Sequence, residues 1–270
     1  MRRRHLLGEG ARGARRRRWQ ELREQRRRGI FLLPSLFTTG NLICGFLALI
    51  LSTQGRFVEA SIAVFAAMVL DVLDGKVARL TRTTTQFGVE FDSLADVVSF
   101  GVAPAFLLYA LVLGRLGRVA WLGAILYVIC AALRLARFNV ATASADRRYF
   151  VGLPSPAAAG IVAATALLVE SRDFLTRWQE VAIAVGTPLV GLLMVSTIRY
   201  YSFKEIDFTQ RQRVSMLVGL VLAVLIVATH PQWFLFALFA AYLLSGPTRP
   251  VWAWRRDAIG VAEREHRDAH

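Results

Sequence analysis

Four aspartates crowd one short window of the chain. They read Asp71-Val-Leu-Asp74-Gly75-Lys76-Val77-Ala78-Arg79 and, after eight further residues, Gly88-Val-Glu-Phe-Asp92-Ser-Leu-Ala-Asp96. Asp71 and Asp74 are three positions apart and Asp92 and Asp96 four, so on two helices each pair lies along one face. Four carboxylates within a few ångströms cannot all stay ionised without cations, because like charges raise one another's pKa. Two divalent metals would balance them. All-oxygen donors select hard ions such as Mg²⁺, Mn²⁺ or Ca²⁺ over zinc, and no His or Cys adjoins the window to argue otherwise. Gly75 and Ala78 leave a slot where a flat ligand can approach the backbone, and Arg79 stands beside it as a donor to phosphate oxygens.

The elements that must hold these residues are membrane helices. Of the 270 residues 55% are hydrophobic and 19% charged, which excludes a disordered polycation and an ordinary soluble domain. Ile30–Leu51 is nearly uncharged, about 22 residues or roughly 33 Å of helix, the thickness of a bilayer core. It is too long for a signal-peptide core, and no small-residue cleavage site follows. Further apolar segments run over Phe57–Leu73, Leu94–Leu113, Val119–Asn139, Ala157–Val169, Val181–Ile198, Val214–Thr229 and Phe234–Leu244. The expectation is an all-α integral membrane protein, a polytopic bundle of six to eight transmembrane helices over residues 30–245. The short link Leu80–Phe87 returns the second aspartate helix beside the first, so that both pairs meet at the cytoplasmic end. Acidic residues in such helices cost roughly 2.5–3.5 kcal/mol each on insertion scales. Two aspartates could be solvated helix-end charges paired with Lys76, Arg79 and Arg82. Four at these spacings, with Gly, Ala and Arg interposed, argue for function.

The formal charge of +14 lies mostly outside this body. Residues 1–28 contain twelve Arg and three Glu, and an Arg-rich cytoplasmic arm over 1–29 before a first span orients the chain and attracts anionic lipid. Neither aromatic interleaving nor a fold signature supports nucleic-acid binding, and a twin-Arg export signal does not suit so long a span. With the N-terminus inside, Arg147, Arg148, Arg199, Lys204, Arg211, Arg213 and the tail over 246–270 fall on the cytoplasmic side of a cell membrane. The other side keeps Arg56, Arg115, Arg118, Arg172 and Arg177. Cys44 and Cys130 sit within spans as small hydrophobes, and no disulfide framework is suggested.

The run Asp71-x2-Asp74-Gly75-x2-Ala78-Arg79-x8-Gly88-x3-Asp92-x3-Asp96 resembles the complete signature of the CDP-alcohol phosphatidyltransferases, with no departure at a fixed position. The resemblance implies that Asp71, Asp74 and Asp92 ligate two divalent cations, Mg²⁺ or Mn²⁺, that hold the pyrophosphate of a CDP-linked lipid. It implies that Asp96 is the general base and also touches the second metal, and that Gly75, Ala78, Arg79 and Gly88 bind the CDP-lipid. Four stretches are similar to the phosphatidylserine synthase branch: Leu33–Asn41, Phe91–Pro104, Arg134–Asn139 and Phe150–Pro156. Relatives often begin with Pro-Asn-x-x-Thr-x-x-Arg. Here Ser35 replaces the Asn and Asn41 stands at the Arg position as that branch has it, and the resemblance implies that Thr38 and Asn41 both bind the CDP-lipid. The resemblance also implies a homodimer.

Residue types argue for a single step. With no activated Cys or His near the cluster, an acceptor hydroxyl attacks the phosphorus directly while Asp96 takes its proton. The branch points to CDP-diacylglycerol and L-serine as substrates. A zwitterionic acceptor needs a cation for its carboxylate, and Arg134 and Arg137, costly in an apolar helix, are the candidates, with Asn139 at the same level and Lys204 closing the pocket. Snorkelling to the interface is the simpler reading of the two arginines. Gly152-Leu-Pro-Ser-Pro156 turns the chain into the next span. Glycerol 3-phosphate or an inositol phosphate as acceptor would require a denser basic pocket. A divalent-metal transporter would place its carboxylates at the bilayer midplane. A scaffold with a purely structural metal is a third alternative.

Overall fold

The computed structural model describes residues 35–81, 85–141, 149–171, 175–201 and 229–247. The arm, the tail beyond Pro247, Lys204 and all but the last residue of the expected span Val214–Thr229 lie outside them. Helix α1 covers Ser35–Thr53 and α2 Phe57–Thr81. Helix α3, Gln86–Asp96, continues through a π-helical turn, Val97–Val102, into α4, Ala103–Leu111. Then come α5, Arg118–Ala141, α6, Ser155–Glu170, α7, Arg177–Val195, and α8 over residues 231–247. Two three-residue strands, β1 (Tyr149–Val151) and β2 (Arg199–Tyr201), pair antiparallel with Phe150 opposite Tyr200, tying the entry of α6 to the exit of α7.

Among the described residues four stretches are long and apolar enough to cross a membrane: Ser35–Thr53, Gln86–Leu111, Arg118–Val140 and Arg177–Val195. Helix α2 is long enough at 25 residues but carries Glu59, Asp71, Asp74, Lys76 and Arg79, and α6 has only 16. The third span begins eight residues earlier than the apolar segment suggests, at Gln86 in place of Leu94. Glu90 and Asp92 truncate that segment, whereas the helix starts where Thr85, in extended conformation, accepts the Gly88 N–H at 3.1 Å.

Packing is inverted relative to a soluble bundle. The buried positions are rich in alanine, including Ala48, Ala60, Ala63, Ala67, Ala103 and Ala163. Large apolar side chains such as Ile43, Phe46, Val69, Leu94, Val119 and Leu133 point outward. Small residues let backbones approach where helices gain nothing from hiding apolar area from lipid, and the outward side chains meet acyl chains. This is an all-α multi-pass membrane bundle.

Close approaches set the helix directions. Thr38 and Gly40 of α1 meet Asp74 and Leu70 of α2, so these two run antiparallel. Asn41 and Gly45 meet Asp96 and Ser99, so α1 and α3 run alongside in the same direction. Helices α2 and α3 are therefore antiparallel, as their short link requires. A Cβ on Gly45 would lie 2.7 Å from the Ser99 Cα, closer than side-chain adjustment can relieve. The Gly45→Val variant should lose about 1–3 kcal/mol of stability, seen as a lower melting temperature in detergent, as overpacked helix contacts do.

Candidate active site

The aspartates converge as their spacing requires. One carboxylate oxygen each from Asp71, Asp92 and Asp96 lies within 4.8 Å of the others. Asp71 comes from α2 and the other two from α3, roughly 9 and 15 Å along α3 from its start at 1.5 Å per residue. Asp74, 6% exposed, sits one turn from Asp71 and is not in that trio. Its Oδ2 accepts the hydroxyl hydrogen of Thr38, a buried side chain of α1.

Asp96 is held from α1 as well. The Asn41 Nδ2 donates to its Oδ1 at 3.1 Å, and Asn41 is fixed in turn by the Ser99 hydroxyl, which donates to its backbone carbonyl at 2.9 Å. Ser99 belongs to the π-helical turn that follows Asp96. Such a turn leaves the regular hydrogen-bond ladder, and the fully buried Tyr127 of α5 donates its hydroxyl to the Phe100 carbonyl there at 3.0 Å. The turn, Asn41 and Tyr127 together lock the axial position of Asp96.

The trio suits a hard divalent cation on the chemistry of its donors. All are anionic oxygens, and the Oδ1 of Asp92 is buried without any hydrogen-bond partner. Three negative groups at this separation in a low-dielectric site repel strongly, and an unpartnered carboxylate oxygen among them could ligate a hard cation.

The expected acceptor residues divide. Arg134 is half-buried on α5, interacts electrostatically with Asp96, Tyr242 and Asp71, and donates from Nη1 to the Ser155 Oγ at 2.5 Å. Arg137 is exposed and its Nη1 reaches the Val195 carbonyl at 3.3 Å, at the C-terminal end of α7 where carbonyls lack helical partners. Three positions apart, the two side chains start about 60° apart around the helix, and each long guanidinium arm reaches its own neighbouring element. Asn139 bonds Ser93 of α3, its Nδ2 donating to that hydroxyl at 3.0 Å, next in sequence to Asp92. Gly75 and Arg79 are exposed on α2 and Ala78 is half-buried; a Cβ on Gly75 would meet nothing nearer than Arg79 at 3.9 Å, so the slot is open. Gly88 serves the cap, since a Cβ there would come within 3.2 Å of the Thr85 hydroxyl.

Ser155, Ser93, Ser99 and Tyr127 are the site's supporting residues that spacing did not single out. Ser155 carried a faint signal, a hydroxyl bracketed by Pro154 and Pro156. Gly152 presents it: at φ +83° its N–H donates to the Ile198 carbonyl at 2.8 Å, and a Cβ would strike the Met194 carbonyl. The chain does turn here into the next helix, and the same turn places the arginine's partner. The Tyr127→Phe variant leaves the Phe100 carbonyl buried and unpaired. It should cost about 1–3 kcal/mol, measured as a drop in melting temperature, with turnover falling as Asp96 loses its anchorage.

Comparison with known proteins agrees with this geometry. The chain is 40% identical over 220 residues to a CDP-diacylglycerol–serine O-phosphatidyltransferase of Helicobacter pylori, covering 82% of this chain and 91% of that protein. A protein of the same name from Methanocaldococcus jannaschii is 36% identical over 194 residues, 72% of this chain and 86% of its own. One from Bacillus subtilis is 35% identical over 173 residues, 64% and 92%. The family model for CDP-alcohol phosphatidyltransferase matches residues 31–190, which contain all four aspartates, Asn41 and Arg134. The chain belongs to the CDP-alcohol phosphatidyltransferase family.

Proposed function

We propose that this protein transfers the phosphatidyl group of CDP-diacylglycerol to the hydroxyl of L-serine, giving phosphatidylserine and CMP, with two divalent cations, Mg²⁺ or Mn²⁺, at the aspartates. The convergence of Asp71, Asp92 and Asp96 within 4.8 Å, with the half-buried Arg134 interacting with two of them, carries the reading. The names of the relatives supply the acceptor.

Asp71, Asp74 and Asp92 would hold the cations, with Asp96 as a further ligand. When bound, the cations neutralise charge on the pyrophosphate and on the departing CMP. The open face of α2 at Gly75, Ala78 and Arg79, with Gly88 and Thr38 at its rim, receives the CDP-lipid, and Arg79 donates to phosphate oxygens. Asp96 accepts the serine hydroxyl proton while the oxygen attacks phosphorus and the bond to CMP breaks, CMP leaving with the electron pair. The one group of metal-competent side chains at the cluster contains only aspartates, which favours this direct displacement over a covalent enzyme intermediate. Arg134 takes the serine carboxylate. Arg137 and Asn139, committed to Val195 and Ser93, shape the pocket wall, and Lys204, outside the described residues, closes it. The active site and both termini face the cytoplasm, the Arg-rich arm lies on anionic lipid, and the protein works as a homodimer.

Purified protein in detergent should release CMP from CDP-diacylglycerol with Mn²⁺ or Mg²⁺ when serine is supplied. Turnover with glycerol 3-phosphate and none with serine removes the acceptor assignment, and no release with any alcohol removes the reaction. The Asp96→Asn variant should lower turnover by about 10²–10⁴-fold; near-normal turnover with metal still bound means another group takes the proton. Asp71→Asn removes one of the crowded charges. In chelator it should melt above the wild type, and Mn²⁺ should raise the melting temperature of the wild type while leaving the variant where it was.

A further inference from the structure

Besides Asp92 Oδ1, two buried polar atoms find no partner among the described residues: the Oδ1 of Asn41, whose amide bonds Asp96, and the Nε of Arg134, whose charge interacts with Asp96. One accepts a hydrogen bond and the other donates one. Buried groups are left unmade at a cost, and a fold retains them where something else completes them. Both atoms have settled orientations. Turning the Asn41 amide over would set its oxygen against the acceptor-only Asp96 carboxylate, so Nδ2 stays on Asp96 and Oδ1 faces away from it. Arg134 is clamped through Nη1 by the fully buried Ser155.

A molecule whose hydroxyl rests on Asp96 therefore meets an uncharged acceptor from α1 and a cationic donor from α5. Asn41 is fully buried, so bulk water does not complete its free oxygen. That polarity matches a compact zwitterion with an ammonium on one side of the hydroxyl arm and a carboxylate on the other. Glycerol 3-phosphate offers no ammonium there, only a neutral hydroxyl, a weaker partner for the Asn41 oxygen than a charged N–H.

Resting on the acceptor reading above, we propose that Asn41 belongs to the acceptor pocket and not to the CDP-lipid site. Its Oδ1 receives an N–H of the acceptor's α-ammonium group, while its Nδ2 holds Asp96 against the acceptor's hydroxyl. Asn41 thus joins selection of the acceptor to placement of the base, two duties that one amide can carry because its ends have opposite hydrogen-bonding character.

The test compares serine with 3-hydroxypropionate, which keeps the hydroxyl and the carboxylate and lacks the ammonium. Wild-type kcat/KM should favour serine by about 10- to 100-fold, the range expected for a hydrogen bond to a charged group. In Asn41→Leu, kcat falls with both acceptors because Asp96 loses its holder, and the preference for serine collapses to within about threefold. A variant that keeps the full preference, with only kcat reduced, overturns the proposal and leaves Asn41 as a positioning residue for Asp96. The wild type supplies a second measurement that needs no variant: with CMP and Mn²⁺ present, serine should raise the melting temperature and 3-hydroxypropionate at the same concentration should do so less. Equal stabilisation by the two also overturns the proposal. Absence of serine turnover in the wild type overturns instead the acceptor reading on which the proposal rests.

Discussion

Carboxylates of Asp71, Asp92 and Asp96 share a few ångströms of space inside a membrane bundle, and the rest of the structure is organised around that repulsion. In water such a group would be screened; among packed helices each charge requires a cation, a hydrogen-bond donor or both. The fold meets the requirement in layers. Thr38 and Asn41 come from α1 to donate to Asp74 and Asp96, and Arg134 approaches from α5 with its own charge. What remains negative and unpaired, including the buried Asp92 Oδ1, is the part available to metal.

Bringing these groups together demands helices that nearly touch, and the bundle achieves this with small residues. Gly45 against Ser99, Gly191 against the Tyr127 backbone and Gly123 against Pro188 leave no room for a Cβ or only a tight one. In lipid there is little gain from hiding apolar area between helices, so close van der Waals contact and interhelical hydrogen bonds must hold them. The same contacts therefore serve stability and chemistry. Ser99 fills the gap left by Gly45 and also fixes the residue that holds Asp96. The π-helical turn after Asp96 belongs to this economy, since its irregular backbone is tolerated only because Tyr127 reaches its carbonyl.

Much of the site was legible before any coordinates. The aspartate spacing places each pair on one helix face whatever the surrounding fold, and the short link between α2 and α3 leaves little freedom except to fold back. Gly152 and its prolines announced a turn, and a turn is there. The limits are equally physical. An apolar segment marked the third span from Leu94 and missed the turns before it, because Glu90 and Asp92 weaken the hydropathy signal without breaking the helix. Arg134 and Arg137 looked equivalent, both cations in one apolar helix, yet only one turns inward. Ser155 showed only faintly, through its flanking prolines, and Tyr127 was silent because a lone hydroxyl in an apolar stretch has no local pattern.

The sequence by itself determined the helical bundle, the membrane as its solvent, and which carboxylates lie on a common face, since these depend on periodicity and composition over neighbouring residues. Only the tertiary structure decided which side chains hold the carboxylates: Thr38 and Asn41 from more than thirty residues upstream, Ser155 as the clamp on Arg134, and Arg137 turned away to α7. Those pairings depend on how far each helix is rotated about its own axis and how closely it approaches its neighbour. Both are set by contacts at a few small residues distant in sequence, and no local pattern records them.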